Sequence, residues 1–524
     1  MEADAESPPR DLELSTLEAE KQPMAAAAED EERGDPGHPR PDPVPPQIGE
    51  KNGLVKIPQD EELGGGENLG GCKFTGLGKE ELLQAAGAPA WAKARTILLL
   101  LFWLGWLGML GAAAAIVARA PRCRPLPPRA WWELGGLYRA PPGPFAKDLK
   151  GVAERLDHVA GLQMRGLVLG PLHPQTSGDP ENLSLEQLDP LLGSLQDFAD
   201  LLQAAKKKGL QVILDLTPNY LGNQTWFGEN VAKNFGLQEK VKRALSVWLE
   251  RGVAGFFLDG IEELQPSVVA EWRNLTEQHS SDGVPRVLMG GTRLQDPPRL
   301  LELLNSSGLG LVLGPFLEAL GPDPPPETLA PQLLNFLRPK VPLAWSVGSP
   351  WQHLAGLSPP RAPQRLLLLW AALPGTPVLS YGDELGLTDP PGDPGQLTPM
   401  PWDVVERIQE EENSTEAQRL ELCRRLGALR VRERSLSLGE AEAIPSDRAA
   451  VFLRSWDQSE RFLVVLNPGG QRITELALKD SRLPSQATLR LSTHRPLPQD
   501  PHVDLGALEL LPYEGLLISF PYTP

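Results

Sequence analysis

Cysteine is scarce in this chain: three residues in 524, at positions 72, 123 and 423, far apart and in different surroundings. That excludes a small disulfide-stapled scaffold. Basic residues are also short, with 50 Lys+Arg against 68 Asp+Glu and a net charge of −18. They are interspersed with acids, which excludes a nucleic-acid-binding stripe. A cleaved signal peptide is missing too, because the first long apolar run begins only at Ile97 and no suitable A-x-A site follows it. No metal ion or cofactor is expected.

What is present is that run. Ile97 to Val117 is 21 residues without a polar side chain, and at about 1.5 Å rise per residue it covers roughly 31 Å, enough for a bilayer core. Trp103, Trp106 and seven leucines go all the way round it, so it has no polar face with which to be a surface helix. Gly105, Gly108 and Gly111, then Ala112 to Ala115, form a small-residue stripe suited to close helix contact. The run reads as a transmembrane signal anchor. It divides the chain into a tail, 1–96, the span, 97–117, a neck, 118–132, and a large domain beyond.

Residues 1 to 90 hold 20 Asp+Glu and 8 Lys+Arg, a net charge of −12, which leaves −6 for the rest. Glu29 to Glu32, the Pro-rich stretch Pro36 to Pro46 and Gly64 to Gly66 bury too little apolar surface to order themselves. The tail is expected to be a disordered acidic arm. For orientation two signals conflict. Arg119, Arg122, Arg124 and Arg129 follow the span while Lys79, Lys93 and Arg95 precede it, a slight bias toward a cytosolic C-terminal part. Five glycosylation acceptors, Asn182, Asn223, Asn274, Asn305 and Asn413, all follow the span and none precedes it. The one-sided sequons outweigh the charges. The expectation is a single-pass type II plasma-membrane protein, N-terminus cytosolic and large domain outside.

In that topology Cys72 lies in the reducing cytosol and Cys423 falls on an apolar helical stripe with Leu422, Leu426 and Leu429, as a small buried hydrophobe. Cys123 stands in an exposed Arg/Pro-rich neck, where an odd cysteine points to pairing with another chain. A Cys123–Cys423 bridge is the competing arrangement.

From Trp132 onward β-rich runs alternate with amphipathic helices. Eight runs are read as strands: Leu134–Tyr138, Gly166–Leu169, Gln211–Leu216, Gly255–Leu258, Val287–Gly290, Leu309–Leu313, Leu343–Val347 and Pro377–Tyr381. Between the second and third, Ser194 to Lys208 reads as a helix with Ser194 as its cap and Asp197 at N3. The pattern predicts an α/β fold, a (β/α)8 barrel over 133–434. A small antiparallel β domain over 435–524 follows, with strands at Ala450–Arg454, Phe462–Leu466, Thr488–Leu491 and Gly515–Phe520.

Asp148-Leu-Lys-Gly151, Asp215-Leu-Thr-Pro-Asn219, Gly255-Phe-Phe-Leu-Asp259, Leu373-Pro-Gly-Thr-Pro-Val378, Tyr381-Gly-Asp-Glu384 and Pro399-Met-Pro-Trp-Asp403 occur in that order. This set resembles the α-amylase superfamily of glycoside hydrolases, from about Glu133 to the C-terminus. Such enzymes need a carboxylate nucleophile and a protonated acid about 5–5.5 Å apart. By the resemblance Asp259 stands at the nucleophile position. The Arg expected two residues before it is Phe257, the His expected after Asn219 is Tyr220, and Met289-Gly-Gly-Thr-Arg293 carries no acid after the fifth strand. The seventh strand ends Trp345-Ser-Val-Gly-Ser-Pro350 where the family has His-Asp. Only 36 residues separate Asn219 from Gly255, too few for the domain most of these hydrolases insert there. Asp215, Asn219 and Asp259 are therefore expected to be vestigial and the barrel to have no catalytic residue.

An anchored, amylase-like ectodomain without catalytic groups resembles the heavy subunits of heteromeric amino-acid transporters. Ala120-Pro-Arg-Cys-Arg-Pro125, Trp131-Trp132 and Gly136-Leu-Tyr-Arg139 are similar to that family's cell-surface antigen branch. The longer renal branch, which keeps the inserted domain, fits poorly. The resemblance implies that a twelve-helix exchanger light chain moves the amino acid, while this chain holds it through Cys123 and delivers it to the plasma membrane. It also implies association with integrin β tails. A surface α-glucosidase is the alternative, favoured only by Asp259.

Overall fold

A computed structural model describes residues 79–119, 124–174, 180, 182–220, 225–228, 232–280, 283–317, 324–336, 343–347, 352–390, 397–408, 414–496 and 498–523. Cys72, Cys123, Asn223, Asn413 and the tail up to residue 78 lie outside the described residues. Two units follow one another along the chain, up to Ala113 and from Ala114 on.

The N-terminal unit contains a short helix α1, Lys79–Ala86, and most of a long one, α2, Pro89–Arg119. Proline at the start of α2 costs no hydrogen bond, since the first N–H groups of a helix have no internal partner. At 31 residues α2 overruns the apolar run at both ends and takes Trp91, Lys93 and Arg95 onto the same helix. None of its side chains is buried, and among the described helices it alone is long and apolar enough to cross a membrane.

The second unit opens with a closed barrel of eight parallel strands in sequential order. They are β1 Gly136–Ala140, β2 Met164–Leu169, β3 Gln211–Asp215, β4 Gly255–Leu258, β5 Val287–Gly291, β6 Leu311–Gly314, β7 Leu343–Ser346 and β8 Thr376–Ser380. Both faces of each strand are covered, which is why the runs are apolar almost throughout rather than alternating. Leu137, Val168, Ile213, Phe257, Met289, Leu313, Ala344 and Val378 fill the lumen. Their strand neighbours Tyr138, Leu167, Leu214, Phe256, Leu288, Val312, Trp345 and Leu379 pack outward against the helices. Trp131 and Trp132, edge to face at 5.4 Å, pack against the lumen cluster. β4 coincides with its expected run and the other seven strands differ from theirs by one or two residues at their ends; the sixth begins at Leu311 rather than Leu309.

Helix Leu195–Lys207 is capped as its sequence predicts: the Asp197 backbone N–H donates to Ser194 Oγ (3.2 Å) and the Ser194 N–H to Asp197 Oδ2 (2.9 Å). Cys423 is fully buried in helix Thr415–Arg432, and burial holds its thiol well above the usual range.

The C-terminal part is a six-stranded antiparallel sheet, ordered β14-β13-β16-β11-β10-β9, with a two-stranded β12-β15 ribbon. Its strands are β9 Glu440–Ile444, β10 Ala450–Ser455, β11 Arg461–Leu466, β12 Ile473–Leu476, β13 Gln486–Ser492, β14 His502–Asp504, β15 Leu508–Leu510 and β16 Gly515–Phe520. Two buried arginines meet at its junction with the barrel, Arg430 from the barrel helix Thr415–Arg432 and Arg454 from β10, and it is Arg454 that bonds across. Just before β8 the chain runs through a π-helical turn, Leu368–Ala372, whose last carbonyls need donors from elsewhere. Arg430 Nη1 donates to Trp370 O (2.7 Å) and Leu373 O (3.1 Å). Arg454 donates to Ala372 O, Leu436 O and Gly439 O at 3.2, 2.8 and 2.8 Å. Burial without an acid partner lowers both guanidinium pKa values, Arg430 to about 9.

Candidate functional site at the barrel mouth

In a parallel barrel the C-terminal strand ends and the loops after them build the site. Here the mouth centres on Arg139, the next-to-last residue of β1, which is 7% exposed. Its Nη2 lies 3.4 Å from Asp215 Oδ2, at the end of β3, and 3.4 Å from the Tyr220 hydroxyl. The guanidinium carbon is 5.2 Å from the Phe257 ring centroid and 5.9 Å from that of Tyr220. Burial pulls the Arg139 pKa down, but Tyr220, Asp215 and Asp259 more than offset it, so the group is held above its ordinary value. Burial raises Asp215, opposed by Arg139 and by the Thr217 hydrogen bonds. Those bonds, from Thr217 N at 3.0 Å and its hydroxyl at 2.7 Å, both end on Asp215 Oδ1.

This answers one expectation. Phe257 does remove the cation from the fourth strand, but the mouth is not without one: Arg139 supplies it from the first strand, stacked on the ring that replaced the missing arginine. The sequence signal for it is a lone arginine near the end of an otherwise uncharged strand.

Asp259 follows β4. Its backbone N–H donates to Thr217 Oγ1 (3.0 Å) and its carbonyl accepts from Trp226 Nε1 (2.7 Å). Its carboxylate lies over Gly291, where an added Cβ would come within 2.3 Å of Asp259 Oδ1 and 2.8 Å of Phe257. Gly290 faces the other way, toward Ile261 and Leu309. Thr292 is buried and accepts from Leu294 N–H (3.1 Å). No residue from 290 to 292 carries a proton-donating carboxyl. Two other acids could be candidates. Glu262 accepts from the Arg293 N–H (2.9 Å), which fixes it to the loop after β5. Glu384 is fully buried outside the lumen, bonded at 2.8 Å to the Tyr138 hydroxyl and at 2.8 Å to His158 Nε2.

Across the mouth, His353 Nδ1 pairs with Asp389 Oδ1 at 2.7 Å, and its ring stands edge to face on Tyr381 at 4.9 Å. Burial would raise Asp389, but the His353 and Thr398 hydrogen bonds hold it below the usual carboxylate range. The cavity lined by Arg139, Tyr220, His353, Ser380 and Tyr381 has a volume of about 10 Å³, room for about one water. Small-molecule sites run to about 300–1,000 Å³. Among the described residues no three His, Cys, Asp or Glu side chains are grouped to hold a metal ion.

The structure brings Asp215 and Asp259 together around Arg139 and Thr217. Asn219 stands half-buried nearby, its N–H on Thr225 O at 3.1 Å. Asn182, Asn274 and Asn305 are all exposed, the last two on helices Pro266–Gln278 and Pro297–Ser307.

Comparison with known proteins follows the same division. Residues 66–138 match the profile of the solute carrier family 3 member 2 N-terminus, and residues 143–236 that of the alpha amylase catalytic domain. An α-amylase from Anoxybacillus superposes with a TM-score of 0.60 at 17% identity, covering 76% of this chain and 100% of its own. Fold and site therefore define an α-amylase-type barrel with a C-terminal antiparallel sheet. Along its whole length the chain is 40% identical over 555 residues to the mouse amino acid transporter heavy chain SLC3A2, covering 100% of both. It is 23% identical over 597 residues to the rat heavy chain SLC3A1, covering 85% of this chain and 86% of that one. The chain belongs to the SLC3A2 amino acid transporter heavy chain family, and that kinship supports a role in amino acid transport.

Proposed function

We propose that this chain is the non-catalytic heavy subunit of a heteromeric amino-acid exchanger. It spans the plasma membrane once as a type II protein, pairs through Cys123 with a multi-span light chain, and stabilises and delivers that chain to the surface. The full-length kinship with transporter heavy chains carries the reading. The mouth geometry supports it: no residue from 290 to 292 carries a carboxyl, Asp259 is packed onto Gly291, and the cavity beside Arg139 and Tyr220 is about 10 Å³. Loss of the acid alone removes about 10²–10⁴-fold in rate. The five sequons, three of them on exposed positions in the structure, support an extracellular ectodomain. The cytosolic tail and span are the segments through which integrin β subunits would associate.

The test is non-reducing electrophoresis of the full chain from cells, with mass spectrometry of whatever is attached. A heavier species that collapses on reduction, vanishes with Cys123→Ser and contains a multi-span exchanger is expected. A band that survives Cys123→Ser but not Cys423→Ser would overturn the assignment.

A further inference from the structure

We propose that two of the described sequons, Asn274-Leu-Thr276 and Asn305-Ser-Ser307, accept sugar only before the barrel closes, whereas Asn182-Leu-Ser184 stays readable on the folded chain. Glycan occupancy at the first two sites is then set by a race between modification and folding. The proposal rests on the reading that the large domain is extracellular.

A sequon is defined by the asparagine amide at its first position and the hydroxyl at its third, so a transferase must reach both side chains at once. The two helical sequons deny it that. In helix Pro266–Gln278 Asn274 is exposed, while Thr276 is fully buried and its hydroxyl donates to Trp272 O at 2.9 Å. In helix Pro297–Ser307 Asn305 is exposed, while Ser307 is buried and its hydroxyl donates to Leu303 O at 2.7 Å. The cause is helical geometry. At about 3.6 residues per turn, positions i and i+2 point about 200° apart, so one faces water when the other faces the core. Trp272, stacked on Trp226 at 5.7 Å, shares the buried face of Thr276, and Leu303 and Leu304 share that of Ser307. Arg273 adds a second restraint: its Nη2 donates to Asn274 Oδ1 at 2.7 Å and its Nη1 to Gly308 O at 2.9 Å, just past the other sequon. Asn182 differs, being exposed outside any described helix, with Ser184 half-buried.

The two helices have 13 and 11 residues, at the margin where an isolated helix of about 12–15 residues persists in water. They hold only once packed on the barrel, and the barrel closes only when β8, ending at Ser380, has been made and pairs with β1. At about 5–20 residues synthesised per second, that leaves roughly 5–20 s from Thr276 to Ser380 and roughly 4–15 s from Ser307.

The transfer uses a lipid-diphosphate-linked oligosaccharide of the secretory compartment. The asparagine amide nitrogen displaces the diphosphate at C1 of the donor sugar: the C–O bond breaks as the C–N bond forms. The amide gives up one proton, and the lipid diphosphate leaves with the bonding electrons.

The test uses the full chain from cells whose donor synthesis is blocked, purified in detergent and incubated with oligosaccharyltransferase and a lipid-diphosphate oligosaccharide. Peptide mass spectrometry reads each site, with Asn182 as the reference within the same chain. In the unheated chain Asn274 and Asn305 should gain sugar at least about tenfold more slowly than Asn182, and after heat unfolding all three should agree within about threefold. Glu302→Pro, at an exposed position, breaks the second helix. It should raise Asn305 to the Asn182 rate and leave Asn274 slow. An unheated rate at Asn274 or Asn305 equal to that at Asn182, or slow transfer at both after unfolding, overturns the race alone. Chain from untreated cells with no sugar at any of the three sites overturns the extracellular reading instead.

Discussion

Replacing Arg139 by leucine tests the charge balance of the mouth. The substitution leaves Asp215, 1% exposed, without its cation, and removes the positive neighbour of Asp259. Breaking a buried pair by deleting one partner typically costs about 3–5 kcal/mol. Over roughly 400 residues the unfolding entropy is about 0.8 kcal/mol/K, so the midpoint should fall by about 4–6 °C at pH 7. The sign of the pH dependence follows from Asp215. Its folded-state pKa already lies above its ordinary value through burial, and losing Arg139 raises it further. A group raised on folding contributes stability that is fully present below its unfolded pKa and is lost as pH rises through the folded one. The Arg139→Leu deficit should therefore shrink as pH falls from 7 toward 4, and Arg139→Leu with Asp215→Leu should recover much of it. Tryptophan fluorescence during thermal unfolding of the detergent-solubilised chain reads both. A midpoint equal to the parent's at pH 7, or a deficit that grows on acidification, would refute the reasoning.

Three further outcomes are expected. Arg454→Met strands three buried carbonyls, at about 3 kcal/mol or more. The loss should show as an earlier tryptophan-fluorescence transition, and an unchanged midpoint would deny the arginine its role. Gly291→Glu restores an acid near the family's position, yet its side chain would collide with Asp259 and Phe257. The purified variant should melt lower than the parent and leave aryl α-glucosides uncleaved, and measurable hydrolysis would show that the mouth can open. Asn182→Gln, Asn274→Gln and Asn305→Gln should each remove one glycosidase-sensitive mass step, and full retention of mass in all three would deny the sequons use.

Much of the barrel was legible because parallel strands buried on both faces leave compact apolar runs, and Gly255–Leu258 is the case where the run and the strand coincide. The sheet beyond was harder to read. Glu440-Ala-Glu-Ala-Ile444 alternates charge with alanine and carries no aromatic, so this edge strand has little β signal of its own. β12, β14 and β15 have three or four residues each, below what a period of two can reveal. At the mouth the missing acid and the substituted arginine could be read by comparison with the motif. The replacement cation could not, because Arg139 lies 76 residues from Asp215 and only barrel closure brings them together.

The central claim is tested most directly by uptake of a labelled amino acid into cells expressing a light chain with or without this chain, its parent form compared with Asp259→Asn. The account predicts that surface light chain and uptake rise with the heavy subunit and are nearly unchanged by Asp259→Asn, with no maltose, trehalose or aryl α-glucoside hydrolysed by either form. A glucosidase rate that disappears with Asp259→Asn, or uptake indifferent to the presence of the chain, would contradict it.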